Sequence, residues 1–526
     1  MTLTRREFLH SSGLVAAFAA LPWLLNDPQQ ATLVNAPIWD AAPIPTHPTV
    51  IHGLNRITYG PRPSEVATVA AHGWKAFLEQ QLNPKQIDDQ ATEQRLAGFP
   101  SLAMSNAERL EAYPPGREKS TKPGPGVAIR ELLAASLIRA IYSERQLFEI
   151  MVDFWSNHLN IYINKNQVRW FKTSDDRDVI RTHAMGTFRD LLLASAKSPA
   201  MLIYLDNAHN VAKGRGSLDG INENYAREVM ELHTVGAEGG YSEDDVFEVA
   251  RTLTGWSIGG PNSDHPGEFV FQRNRHDAGS KRIAFLDLNI QAGSGLRGGE
   301  ALLERLATHP NTAKRIAYKL AATFVSDTPP DSIVDRAAQA YLDSDTDIRQ
   351  VLRVILNSDE FTAAAGQKIK LPLRALVSMT RAIGLDLPIG AERPLTTALQ
   401  QLRNLGQIFF GWGPPNGYPQ LGTAWVNANG MLARWNAAFA LAEGQTNGAP
   451  TQLRQLAATA STAGTLVDTL SNALLQATLP DATRAALVGY ASDQRGANQR
   501  LSKELLQRKT AGVAGLLLAS PLFQLH

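Results

Sequence analysis

Apolar residues recur at three- and four-residue spacing along most of this chain, the period that turns one face of an amphipathic helix toward a core. The stretches "PSEVATVAAHGWKAFLEQQL" and "VAIRELLAASLIRAIYSERQLFEIMVDFWSNHL" show the pattern, and the Pro/Gly/Lys segment "YPPGREKSTKPGPG" separates them. Another helix is predicted from Thr182 to Tyr204. Glycines in "DNAHNVAKGRGSLDG" break the period before "NENYAREVMELHTVG" and "YSEDDVFEVARTLTGW" resume it, the latter opening on a capping-box variant of Ser242 and Asp245. Helix then returns from Gly299 to the C-terminus, interrupted by "GQIFFGWGPPNGYPQLGTAW". Only the segment from Ser257 to Leu288 differs: "GEFVFQ" and "RIAFLDL" are short and apolar enough for the two strands of one hairpin. The predicted fold class is mainly α, multi-helical with a small β-hairpin insert.

The expected organisation is a signal segment over 1–26, a Pro/Ala/Asn-rich linker over 27–48, and an N-terminal helical region over 49–256. The hairpin insert follows over 257–298 and a C-terminal helical region over 299–526. At 526 residues the chain exceeds the size at which one core keeps growing, so two or three packed subdomains are expected.

Placed at 100° per residue, the segment Asn222 to Gly236 sorts into two arcs. Glu223, Asn224, Arg227, Glu228 and Glu231 share one; Tyr225, Ala226, Val229, Met230 and Leu232 share the other. Asn222 can cap the helix and Gly236 can end it. His233 falls among the apolar residues, which favours a core histidine over a metal pair with the carboxylates. The ladder Glu223–Arg227–Glu231 has the spacing of a solvated ion-pair face, so charge alone does not make it a site.

Composition narrows the chemistry. With 51 basic and 50 acidic residues there is no electrostatic footprint for nucleic acid and no polybasic run for an anionic membrane. The N-terminus "TRREFLHSSGLVAAFAALPWLL" sets Arg5 and Arg6 before Phe8 and Leu9 and a short apolar run, the pattern of a twin-arginine export signal. His10 stands where such signals often carry Lys. The expected carrier is the twin-arginine translocase, the expected location periplasmic or extracellular after export in the folded state, and no membrane span is expected in the mature chain. Absence of cysteine removes disulfides, thiolate nucleophiles, Fe–S clusters and covalent c-type haem.

Two motif-like stretches fail on context. Gly293, Gly295 and Gly298 outline a dinucleotide fingerprint, yet no second strand ending in an acid follows. "DSDTD" begins like a calcium loop but has Ile348 and Val354 where Gly and Glu are needed, and reads as a helix cap.

Three segments keep chemical interest. "FWSNHL" carries Asn157 and His158; "RNRHDAGSK" sets His276, Asp277 and Lys281 on a loop; "FFGWGPPNGYP" presents Trp412 and Tyr418, aromatic surfaces suited to stacking on a sugar ring. With "HGLNRITYGPRPSEV", the "NENYARE" stretch, "HPNTAKRIAYKLAATFV" and the closing "SPLFQLH", they form an ordered set that resembles the exported bacterial family called domain of unknown function 1800, from about Ile51 to His526. Tyr418 departs from the Gly-Trp-Pro often found there. The resemblance implies an exported protein, often beside an exported alkaline-phosphatase-like protein, and matches Asn157, His158, Asn222, Glu223, Arg227, Glu228, Glu231, His276, Asp277 and Lys281 to the family pattern.

The expectation is an envelope hydrolase acting on glycan or glycoconjugate. Glu228, Glu231, Arg227, His276 and Asp277 would carry the chemistry, two carboxylates serving as acid and base if burial raises one. Asn157, His158, Asn222, Glu223, Lys281, Trp412 and Tyr418 would bind the ligand. No metal site is expected and no cofactor is named by the residues. The alternatives are a non-enzymatic binding or assembly protein working with the alkaline-phosphatase-like partner, and a metal- or cofactor-binding protein. In the enzyme reading the charged arc faces a buried polar site.

Overall fold

A computed structural model describes residues 44–45, 47–114, 123–212, 220–387, 392–445 and 449–526. The segment read as a twin-arginine signal and most of the expected linker lie outside the described residues. The fold is mainly α, with short two-stranded antiparallel pairs as its only strands among the described residues. Apolar side chains from Ile57 to Phe523 join in one contiguous core. No described helix is long and apolar enough to cross a membrane.

The Gln146–His158 helix lies at the centre of the N-terminal half, buried on nearly every side, as expected of a helix whose apolar residues run all round it. Its Phe154 and Trp155 pack edge to face with ring centroids 4.8 Å apart, and the Trp155 indole donates to the Ala184 carbonyl at 3.0 Å. The Arg181 guanidinium grips Glu149 of the same helix and also reaches Asp176. Asp176 belongs to a widened helical turn, Asp175–Ile180.

A second widened turn divides the "NENYARE" helix. Asn224–Glu228 is α-helical, and Val229–His233 continues it with π geometry. The Thr234 hydroxyl donates to the Val229 carbonyl at 2.6 Å and holds the looser turn. Beyond Glu228 the 100° spacing therefore no longer applies, so Glu231 leaves the arc assigned to it with Arg227. Asn222 works as expected at the entry, its side-chain oxygen accepting from the Asn224 amide at 3.0 Å. At the exit Gly236 takes φ 90, and its amide reaches back to the Met230 carbonyl.

The next helix, Glu243–Thr252, opens on the expected Ser242/Asp245 capping box, and Asp347 of "DSDTD" caps Ile348–Leu356. The insert contains two hairpins where one was expected. Phe269–Phe271 of "GEFVFQ" pairs with Trp256–Ile258, and Lys281–Ile283 of "RIAFLDL" pairs with Leu288–Ile290. "RIAFLDL" reverses on itself through a turn ending at Asp287, φ 48. A residue that accepts left-handed geometry thus splits what reads as one strand.

Candidate functional site

The C-terminal turn of the Gln146–His158 helix is where the separate motifs meet. Asn157 clamps the aromatic loop in both directions: its amide donates to the Tyr418 carbonyl at 3.0 Å and its oxygen accepts the Tyr418 amide at 2.7 Å. Asn160 donates to the carbonyls of Trp412 and Pro414 at 3.0 and 2.7 Å. The Tyr204 hydroxyl donates to the Gly413 carbonyl at 2.7 Å. The loop is held by its backbone and also by its rings: the Tyr418 hydroxyl accepts from the Ile408 amide and donates to the Ile408 carbonyl, the Trp412 indole donates to Asn416, and Tyr418 packs between Trp412 and Trp425. Trp412 and Tyr418 lie 4.9 Å apart, centroid to centroid. Phe410 is held at φ 55, strain of the kind found at functional sites, while the Ile163 amide ties down its carbonyl.

His158 turns the other way. One ring nitrogen, Nε2, lies 3.0 Å from the His233 carbonyl and must donate; Nδ1 is then an acceptor, and Lys319 Nζ donates to it at 2.8 Å. Burial, then the Lys319 charge, holds the His158 imidazole well below its usual range. Lys319 has no carboxylate within ion-pair distance among the described residues, and burial followed by the Arg315 charge brings its amine down to about 7. His233 is wholly buried with neither ring nitrogen bonded, and burial drives it to about 3. It is the core histidine the periodicity predicts.

Behind Asn157 opens a cavity of about 70 Å³. Asp153, Asn157, Lys368, Arg374, Tyr418 and His526 bring polar groups to it, against apolar walls that include Phe154, Phe409 and Phe410. Asp153 has neither a hydrogen bond nor an ion pair among the described contacts, and burial pushes its carboxyl up to about 6 while Arg374 opposes the rise. His526 donates from Nδ1 to the Asn55 carbonyl at 2.9 Å, and its Nε2 makes no hydrogen bond among the described residues. Burial, then the charges of Arg56, Arg374 and Lys370, keeps that ring neutral. An acid poised near neutrality and an unprotonated imidazole thus line one small chamber.

A family model described as a protein of unknown function, DUF1800, matches residues 52–525. The chain belongs to the DUF1800 family. No curated protein and no solved structure matches it.

The structure of this DUF1800 chain distributes the sequence-predicted site residues among three places. Asn157, Trp412 and Tyr418 come together at the loop just described, while the adjacent His158 points away from it to Lys319 and the His233 carbonyl. Burial raises the Tyr204 hydroxyl, and nearby Glu228 adds to the rise; Glu228 is itself raised by burial and then by Glu231, with Arg227 opposing. Neither Glu228 nor Glu231 makes a described ion pair. Arg227 and Glu223 go to the surface: Arg227 grips Glu243 at 2.6 and 2.9 Å, their side chains 37% and 77% exposed, and Glu223 stands 3.7 Å away. That part of the charged arc faces solvent.

The "RNRHDAGSK" residues form a third cluster around the far end of the Glu243–Thr252 helix. His276 bonds the Thr254 carbonyl at 2.8 Å. Asp277 takes two bonds from Arg251, each 3.1 Å, and Lys281 closes on the Asp277 and Gly279 carbonyls. No described hydrogen bond or ion pair joins this cluster to Glu228 or Glu231.

Sequence reasoning passed over Asp153, Lys319, Arg374 and His526. A signal existed for two of them: Asp153 interrupts "EIMVDFW" and Lys319 interrupts "RIAYKLAATF", single polar residues in apolar runs. Asp153 also precedes Asn157 by four residues, one helical turn on the same face. Arg374 and His526 come to the cavity from distant segments and carry no local mark. Among the described residues no cluster of three His, Asp or Glu could hold a metal ion.

Proposed function

We propose that this DUF1800 protein is an envelope hydrolase, exported folded by the twin-arginine route, whose proton chemistry resides on Asp153. The observation that carries the reading is a carboxyl group without a partner, raised to about 6, in a cavity it shares with a neutral histidine. A structural carboxylate is normally paired; one held near neutral pH without a partner suits general acid catalysis.

In this reading His526 Nε2 takes a proton from the attacking water. Arg374 stands beside the oxygen on which negative charge develops, and protonated Asp153 gives its proton to the departing oxygen. The proton on His526 returns to Asp153 and closes the cycle. Asp153 is the only carboxylate among the cavity-lining side chains, so the two-carboxylate machinery of glycosidases is not assembled there. Ester-type cleavage on a glycan or glycoconjugate is the better match, with Trp412, backed by Tyr418, offering a ring face and Glu228 and Glu231 acceptors for sugar hydroxyls.

The test compares wild type with Asp153→Asn on p-nitrophenyl esters, acetylated oligosaccharides and 4-methylumbelliferyl glycosides. Ester turnover that falls at least about 100-fold in the variant, with kcat/KM declining as pH rises through about 6, supports the reading. Wild-type protein inert toward all three classes removes it and leaves the binding role beside an exported alkaline-phosphatase-like partner.

A further inference from the structure

Five basic side chains gather behind and around the cavity, most of them lacking an anion of their own. Arg56 is 0% exposed; its one bonded nitrogen donates to the Ala364 carbonyl at 2.7 Å, while Nε and Nη1 have no partner. Arg374 reaches the Arg56 carbonyl at 3.0 Å. Arg434 holds the Lys370 carbonyl and the Gln524 side chain at 2.8 Å each and leaves Nη2 unbonded. The Lys370 ammonium makes no described hydrogen bond and rests over the Phe523 ring at 4.0 Å. Only Lys368 has a direct ion pair, with Asp327.

The topology draws these groups together. Segment 368–370 lies antiparallel to segment 524–526, joined by main-chain bonds in both directions between Lys368 and His526 and from Lys370 to Gln524. His526 consequently feels Arg56, Arg374 and Lys370 at once. The negative charges nearby are Asp327, already paired, and Asp153. The basic groups outnumber these two carboxylates. Buried uncompensated charge is costly, and a protein that keeps it gains stability when a mobile counter-charge is admitted.

We propose that the cavity recognises an oxyanion on its ligand, a carboxylate or a phosphate- or sulfate-type group, held by Arg374 and Lys368. Both residues line the chamber, and its volume of about 70 Å³ is several times what one water needs, room for one such group. Arg56 and Arg434 stand behind as positive charge without a described ion pair, and Lys370, its amine brought down to about 7 by burial and then by Arg374 and Arg434, adds a proton site that an entering anion would favour filling. The inference uses the cavity of the hydrolase reading but not its proton chemistry, and names the substrate class as one bearing a negative charge next to the bond or ring that enters.

The experiment measures thermal unfolding and calorimetric binding of the mature chain with inorganic phosphate and, separately, acetate, ionic strength being held constant with sodium chloride. Saturable stabilisation by either anion is expected in wild type; acetate activity assigns a carboxylate, and phosphate alone a tetrahedral group. Arg374→Met and Lys368→Met should each weaken binding at least about tenfold, 1.4 kcal/mol. Asp153→Asn should bind the anion at least as tightly, and the exposed Lys314→Ala should match wild type. If Arg374→Met does not fold, Lys368→Met and the wild-type curves still decide. No effect beyond that of chloride, or undiminished binding in both Met variants, overturns the inference. Anion binding without turnover removes the hydrolase reading alone; turnover without anion binding removes this inference alone.

Discussion

Lys319 Nζ stands 2.8 Å from His158 Nδ1, and His158 Nε2 stands 3.0 Å from the His233 carbonyl. Three sequence motifs far apart in the chain, "FWSNH", "NENYAREVMELH" and "HPNTAKRIAYKLAATFV", are thereby joined through one imidazole. The relay leaves an amine at about 7 against an ordinary 10.5, and its pH dependence can be read.

Between those two values the unfolded chain keeps a proton that folded Lys319 has released, so stability rises with pH across the window, by up to about 1.4 kcal/mol per unit. Below about 7 the cost of the charged amine is carried in full. The stability of wild type minus that of Lys319→Met should therefore increase from pH 7 to pH 10 in urea unfolding, where contributions from other lysines cancel. A flat difference would show that Lys319 does not titrate there.

Arg181 holds Glu149 through two bonds of 2.5 and 3.0 Å, with side chains 14% and 7% exposed. Glu149→Ala leaves the guanidinium with Asp176 alone and should cost about 3 kcal/mol. Arg227→Ala removes a solvent-exposed pair and should leave the urea midpoint where it is. Equal midpoints for the two variants would contradict this ranking.

Gly417 sits at φ 74, and a Cβ there would overlap the Asn157 carbonyl oxygen. Gly417→Ala should cost about 1–2 kcal/mol from left-handed geometry alone, more with the overlap. Asn157→Ala should loosen the same loop by removing two bonds worth about 1 kcal/mol each. Hydrogen exchange over residues 408–420 reads both; wild-type protection in either variant would mean the clamp does not hold the loop.

Arg5 and Arg6 precede the apolar run that reads as an export signal. Replacing both by Lys should leave the folded chain in the cytoplasm, as cell fractionation would show. Unchanged export would end the twin-arginine reading.

Much was decided by the sequence itself, because helices are written locally. Apolar spacing located the central helix, Ser242 and Asp245 marked a start, Asp347 a cap and Gly236 a stop, each through interactions within a few residues. Motif order identified the family without any contact being known. The hairpins were half legible, since a three-residue strand such as Trp256–Ile258 exists only through its partner. The wheel failed past Glu228 because the turn widens to π geometry there, and its Leu232 and His233 carbonyls are taken by Arg315 and His158 from segments far away in the chain. Only the tertiary structure could turn Arg227 outward, confine His276 and Asp277 to their own cluster, set Lys319 against His158, and bring Asp153, Arg374 and His526 to one chamber. Burial and unbalanced charge give those groups their chemistry, and both are properties of the surroundings that segments far apart in the chain create together.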